Sequence, residues 1–445
     1  MQWNHKKDYV SIPMQQDVRL TVDQLVNLAE AYPGLCNPTS LLPYLVSSTN
    51  RLAPPPLVPF FTGRGPLLKK INQIFDSATP RVVTPPITGP GGIGKSQLAV
   101  KAMAQLAVEH HYDHIFWISA ETPEKLLEAY LRLAEDLRLQ VDKKQPQKAV
   151  QDVRTHLQNK RCLYVFDDAP SREAIEEFLP LYCGHVLITS RNSNGKFWTA
   201  DPIVVPPLSV PEVIELAQQH NYGKSEAERA AIESMLTHVP RYPLFLVQLF
   251  KMLTAKGINP GLLLDGLRNF SVSERDKKLL DWLSQNPYPE VGYDKGVSMF
   301  YILKTSLQKL FEEKRGSLAT QLLSQLAYLD ASEMPLELIL KLSGLQNSLL
   351  HRNMRTVLSL LEKYSLVQWN RESQKVRMHP VTQRIVRHLH PQQKLTQLID
   401  SLVAYADSID TPHKKLETLP SLLPHSRTVY KRLDAIQYPQ DALKL

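Results

Sequence analysis

The chain has 445 residues, 43% of them hydrophobic and 22% charged, with a formal net charge of +8. That balance excludes a mostly disordered chain, the length calls for several domains, and the basic excess permits acidic partners without specifying a fold. No apolar run, Pro243–Phe250 included, approaches the ~20 residues of a membrane helix, so no membrane partner is expected.

Residues 1–56 read as a small helical region. Thr21-Val22-Asp23-Gln24 is a capping box before Leu25, Leu28 and Ala29, and Pro33-Gly34 ends that helix. The N-terminus has no apolar run of a signal peptide. Cys36, Cys162 and Cys183 are too few and too scattered for a disulfide framework or a zinc site, so the expected compartment is the reducing cytoplasm. Pro54-Pro55-Pro56 is a stiff linker.

Residues 57–240 alternate between short apolar runs and amphipathic stretches, the pattern of a parallel α/β sheet. Strands are expected at Ile115–Ile118, Leu163–Phe166 and Val186–Thr189. Thr122-Pro123 starts a helix, Ser171 caps another, and Ser209-Val210-Pro211-Glu212 is a capping box. Beyond 240 the strand signal fades, and 241–310 reads as a helical domain. In 311–390, helices precede two short alternating segments, Leu366–Trp369 and Lys375–Met378, with the helix Val381–Leu389 behind them. That order predicts a winged helix, and 391–445 is helical again.

Gly89-Pro90-Gly91-Gly92-Ile93-Gly94-Lys95-Ser96 satisfies G-x-x-x-x-G-K-[ST]. Glycines let the backbone curl so that successive N–H groups face phosphate oxygens, and the helix that follows adds the positive end of its dipole. Lys95 would supply a point charge to the β- and γ-phosphates, and the Ser96 hydroxyl would ligate Mg2+. Pro85-Pro86 interrupts the strand expected before the loop, which leaves Ile87-Thr88 or a bent strand. Asp167-Asp168 follows a continuously apolar run, at the strand end where α/β sheets bind ligands. Asp167 would hold Mg2+ and Asp168 would orient or deprotonate the attacking water. The chain has no Asn-Lys-x-Asp motif to read guanine, and an aspartate rather than a glutamate follows Asp167, so slow hydrolysis is expected.

Together these motifs resemble the NB-ARC family of signal-transduction ATPases, the nucleotide switches of plant resistance proteins, apoptosome-forming proteins and bacterial regulators. The resemblance spans about 58–390. Phe61-Thr62-Gly63-Arg64 is similar to the family's adenine-binding segment, Gly89–Ser96 to its Walker A motif and Leu163–Asp168 to its Walker B strand. Phe116-Trp117-Ile118-Ser119 is similar to its second strand, and Thr189-Ser190-Arg191 to its sensor strand. Arg241-Tyr242-Pro243-Leu244 sits where the family has Gly-Leu-Pro-Leu, and Met378-His379-Pro380 where it has Met-His-Asp. The resemblance implies that ADP or ATP is bound by Phe61, Arg64, Gly89, Gly91, Gly92, Ile93, Gly94, Lys95, Ser96, Gln97, Arg191, Pro243 and His379. It implies Mg2+ on Ser96 and Asp167, with Lys95, Asp168 and Arg191 as the catalytic set. It further implies a closed form in which His379 touches the ADP β-phosphate, an open form in which Arg191 reads the γ-phosphate, self-association on opening, and a separate protein partner for sensing or output.

Two rivals follow from the residues. Segment 351–390 carries eight basic residues against Glu362 and Glu372, a balance that suits a DNA-binding winged-helix ATPase. A solvated basic face, or contact with acidic parts of the same chain, is the simpler account of those charges. A metabolic kinase would need an acceptor site and a lid, and the sequence offers neither.

Overall fold

The computed structural model describes residues 54–55, 57–76, 81–110, 112–140, 145–192, 201–256, 260–285, 292–331, 334–342, 348–371, 374–390, 395–407, 422–430 and 432. The helices expected in 1–56 lie outside them. The chain divides into two compact units. Leu68–Pro85 and Leu98–Thr189 belong to the first, and Val58–Leu67, Pro86–Gln97 and Ser190 onward belong to the second.

In chain order, α1 is Gly65–Phe75, β1 Arg81–Val83, β2 Ile87–Thr88, α2 Lys95–His110 and β3 His114–Ser119. Then come α3 Pro123–Asp136, α4 Pro146–His156, β4 Cys162–Asp167, α5 Arg172–Ile175, β5 Gly184–Ser190 and β6 Ile203–Val204.

The first unit is built on a parallel ladder. Strand β3 pairs with β4 over their full lengths, from His114↔Cys162 to Ser119↔Asp167, and β4 pairs with β5 from Leu163↔His185 to Phe166↔Ile188. Strand β1 pairs with β5 on its other side. Every residue of β5 and all of β4 but its last are buried, which explains their unbroken apolar runs: a parallel sheet is covered on both faces. The amphipathic helices lie where the capping residues start them. Thr122 accepts from Lys125 N–H with Pro123 in the first turn, and Ser171 accepts from Ala174 N–H.

The strand expected before the glycine loop is two strands. Val83 still belongs to the β1–β5 ladder, whereas Ile87-Thr88 pairs with β6. Pro85 and Pro86 lack N–H groups and cannot continue a ladder on the donor side. The carbonyl of Pro86 still serves, accepting from Ile203 N–H at 2.9 Å.

The second unit continues with α6 Val210–Gln219, α7 Glu226–Leu236, α8 Pro243–Lys256, α9 Pro260–Arg268, α10 Glu274–Gln285, α11 Gly292–Phe311 and α12 Gly316–Leu326. It goes on through β7 Met334–Pro335, α13 Leu336–Leu342, α14 Ser348–Lys363, β8 Gln368–Asn370, β9 Lys375–Arg377, α15 Pro380–Leu389 and α16 Leu395–Asp407. Capping boxes start α6 (Ser209 with Glu212) and α7 (Ser225 with Glu228). Val213, Leu216, Ile232, Met235, Leu246, Phe250 and Ile302 join α6, α7, α8 and α11 in one apolar core. The two alternating segments form the expected hairpin, with Asn370 opposite Lys375 and Gln368 opposite Arg377. A third strand, β7, pairs antiparallel with β9. Two residues that include Pro335 carry no alternating pattern, so this strand leaves no trace in the sequence. Residues 422–430 are helical, and His425 Nδ1 accepts from Asp330 N–H at 3.2 Å. Among the described residues no helix is long and apolar enough to cross a membrane.

Candidate functional site

The glycine loop connects β2 to α2. Gly92 and Gly94 take φ of +78° and +100°, which L side chains rarely adopt, and Gly89 lies at +148°. A Cβ on Gly92 would sit 2.9 Å from Leu244 Cδ2, so the closeness of α8 excludes a side chain as much as the dihedral does. Ile93 N–H closes the turn on Pro90 O at 3.4 Å. Lys95 is only 7% exposed, and its ammonium donates to Gly89 O at 2.8 Å and Pro90 O at 3.1 Å. A buried cation held by neutral carbonyls of its own loop, under backbone curled at three positive-φ glycines, fits a bound phosphate. Ser96 and Gln97 open the first turn of α2. The Gln97 side-chain carbonyl accepts from Val58 N–H at 2.8 Å, which ties the linker segment to that turn.

The segment around Arg64 clamps the loop from outside. Arg64 takes φ +69° and is 6% exposed. Its guanidinium donates to Pro206 O at 2.5 Å and Ile93 O at 3.4 Å, and its backbone N–H donates to Glu212 Oε1 at 3.2 Å. Burial lowers the guanidinium pKa, and the Glu212 carboxylate opposes that. Beside it, Thr62 Oγ1 donates to Gln219 Oε1 at 2.7 Å, and the Phe60 ring packs edge-on against His220. Phe61 is half-buried in the same stretch. Glu212 was legible only as half of a capping box; its second task, holding the Arg64 backbone, has no local sequence signal.

Helix α8 starts at Pro243, whose Cγ lies 3.8 Å from where a Gly94 Cβ would be, and Leu244 N–H donates to Gly92 O at 3.3 Å. Farther along the same helix, Gln248 Nε2 donates to Ser365 O at 3.2 Å and Lys251 Nζ donates to Glu362 O at 3.0 Å. Glu362 belongs to the last turn of α14, and Ser365 lies two residues past its end. The helix ends in a Schellman motif, with Ser365 at φ +53°, Ser365 N–H on Glu362 O and Leu366 N–H on Leu361 O. One helix therefore touches the glycine loop at one end and caps α14 farther on.

His379 is the N-cap of α15, just after the hairpin. Its Nδ1 accepts from Val381 N–H at 3.3 Å, so the neutral ring carries its proton on Nε2. Burial, then Arg191, then Lys95 push its pKa down to about 3. Both charges that act on it are cations, and Arg191 is itself exposed. The second unit thus gathers Lys95, Arg191 and His379 with the glycine loop, Arg64 and Pro243.

The aspartate pair belongs to the first unit. Asp167 ends β4, and Asp168 turns the chain at φ +62°. The Thr189 hydroxyl donates to Asp167 Oδ1 at 2.6 Å and accepts from Asp168 N–H at 2.9 Å. Ala169 N–H donates to Thr189 O at 2.9 Å, and Ala120 N–H donates to Asp167 O at 2.8 Å.

Comparison with known proteins gives matches of sequence and of fold. Residues 67–207 match the NB-ARC domain model. Two probable disease resistance proteins of Arabidopsis thaliana, RF45 and RDL5, are each 28% identical over 135 residues, covering 28% of this chain and 13% of theirs. The chain thus matches about an eighth of the length of these relatives. A signal transduction ATPase with numerous domains and a tetratricopeptide repeat sensor, from Pyrococcus horikoshii, superposes with a TM-score of 0.52 at 16% identity. That match covers 86% of this chain and 49% of the archaeal one, and at this identity it speaks for the fold: a P-loop NTPase-like α/β core with a parallel sheet and largely helical surroundings. Residues 67–207, about a third of the chain, are thus similar to the NB-ARC domain.

Proposed function

We propose that the chain is an ADP/ATP-binding signal-transduction switch in which nucleotide state sets a closed or an open conformation, and with it self-association. One observation carries this reading: Lys95, Arg191 and His379 converge with a glycine loop whose backbone is curled at positive-φ glycines. The two cations, Lys95 and Arg191, are stabilised by an anion between them, and a nucleotide's phosphates supply it, with the neutral His379 ring as a further N–H donor. Gly89, Gly91, Gly92, Ile93, Gly94, Lys95, Ser96 and Gln97 would wrap the phosphates, with Phe61, Arg64 and Pro243 on the adenosine side. The Nε2–H of His379 would donate to the β-phosphate of ADP, and Arg191 would engage a γ-phosphate.

The module at 311–390 reads as a winged helix, with α12 to α15 as its helices and β8–β9 as its wing. It carries His379, so nucleotide in the loop ties this module to the helical domain at 241–310 and the NTPase domain at 57–240. Three polar contacts support a closed form between the helical and winged-helix modules: Gln248–Ser365, Lys251–Glu362 and the His388–Asp276 pair at 2.8 Å. Opening would break them and free surfaces for self-association, with a separate protein partner for sensing and a cytoplasmic setting.

Hydrolysis would be slow. Ser96 and Asp167 would hold Mg2+, which screens phosphate charge when bound. Asp168 would orient the water and take its proton. The water oxygen bonds to the γ-phosphorus while the bond from that phosphorus to the β–γ bridging oxygen breaks, leaving ADP and inorganic phosphate. The DNA-binding rival loses support because three of its eight basic residues are engaged within the chain. Arg371 pairs with Glu362 at 2.7 Å, Lys363 pairs with Glu313 at 3.0 Å, and Arg387 is directed to Ala327 O.

The test is direct titration with ADP. Lys95→Ala should abolish binding, and His379→Ala should bind ADP but release it faster. Wild-type affinity in the first variant, or wild-type exchange kinetics in the second, would overturn the loop or the latch respectively.

A further inference from the structure

We propose that Thr189 is the positioning residue of the aspartate pair: its single hydroxyl fixes the Asp167 carboxylate and the Asp168 backbone together, so that cation binding and water activation depend on one side chain. This rests on the nucleotide reading above and adds a residue to it.

A threonine hydroxyl has one proton and two lone pairs. Here the proton goes to Asp167 Oδ1 at 2.6 Å, a short charge-assisted bond, and a lone pair takes the Asp168 N–H at 2.9 Å. The residue is fully buried, so water does not compete for either bond. Asp168 sits at φ +62°, a conformation that costs a non-glycine residue free energy and persists only where its surroundings impose it. Thr189 imposes it from two atoms, since its carbonyl also accepts from Ala169 N–H at 2.9 Å. The hydroxyl sets the plane of the Asp167 carboxylate, with Oδ1 engaged and the group oriented before any cation arrives. Such partners of a metal-binding carboxylate typically contribute about 10- to 100-fold in metal affinity or activity. Thr189 touches neither nucleotide nor water in this scheme and acts through the two aspartates.

Two variants separate the hydroxyl from its packing. Thr189→Val keeps the shape and removes the hydroxyl; Thr189→Ser keeps the hydroxyl and removes a methyl. The readouts are ADP affinity with EDTA, ADP affinity against Mg2+ concentration, and single-turnover ATP hydrolysis, all on the full chain. Thr189→Val should bind ADP in EDTA like the wild type, which also reports an intact fold. It should need about 10-fold or more Mg2+ to reach the same gain in affinity, and hydrolyse ATP slower by a similar factor. Thr189→Ser should restore both. Wild-type Mg2+ dependence and turnover in Thr189→Val would overturn the proposal, as would a Ser variant as impaired as the Val one. If Thr189→Val fails to fold, Thr189→Ser decides alone: wild-type Mg2+ dependence in it supports the hydroxyl, and loss overturns it. A wild-type protein that binds no adenine nucleotide would remove the functional reading itself, a result distinct from either.

Discussion

Lys251→Met probes the joint between helix α8 and the module that carries His379. Lys251 Nζ donates to Glu362 O at 3.0 Å, at the negative end of α14, and methionine keeps most of the apolar stem. A hydrogen bond from a charged donor is worth about 1.5–3 kcal/mol net. A cation at a helix C-terminus adds about 0.3–1 kcal/mol. Burial opposes both, as the lowered pKa of this ammonium shows. The net loss on substitution is then about 1–2 kcal/mol, a factor of about 5–30 in the closed–open equilibrium. If closure retains ADP, that factor appears in its release rate, measured by chasing a fluorescent ADP analogue with unlabelled ADP. Gln248→Leu is the contrast. It loses the bond to Ser365 O but also removes a buried Oε1 that has no hydrogen-bond partner, so the two effects offset and release stays near wild type. Unchanged release from a folded Lys251→Met protein would refute the idea that this cap helps hold the closed form.

Gly92→Ala should weaken ADP binding about 5- to 30-fold, because φ +78° costs a non-glycine residue about 1–2 kcal/mol and the new Cβ would meet Leu244 at 2.9 Å; calorimetric titration at wild-type affinity would contradict this. His379 predicts a pH dependence in the nucleotide-free protein. Its pKa falls from 6.5 unfolded to about 3 folded, so between those values the unfolded chain binds more protons. Its contribution to stability is therefore present above about pH 6.5 and is lost as pH falls toward 3. His379→Asn keeps an N-cap acceptor and removes the titration, so its melting temperature should fall less steeply with acid. His185 and His220, also lowered to about 4, are common to both proteins and cancel in the difference. Parallel acid profiles would refute the assignment to His379.

The phosphate loop was legible because glycine spacing, a lysine and a following helix are all local features. Asp167 and Asp168 were legible for the same reason, as polar residues ending an apolar strand. The capping box at Ser209 marks a helix start through contacts three residues apart. What the sequence hides is every long-range hydrogen bond. Thr189 reaches Asp167 across 22 positions, Glu212 reaches Arg64 across 148, and Lys251 reaches Glu362 across 111. None of these residues has an unusual neighbour to announce its role. The proline pair gave a clear warning about the strand before the loop. That Ile87-Thr88 also pairs with a separate strand, β6, followed only from the fold.

The most direct test is to purify the full chain, denature it, and identify and count the released nucleotide by chromatography, with Lys95→Ala alongside. The account predicts close to one adenine nucleotide, mainly ADP, per wild-type chain and none from the variant. A wild-type protein that releases none and fails to take up ADP added in excess would contradict it, as would a Lys95→Ala protein that still carries ADP.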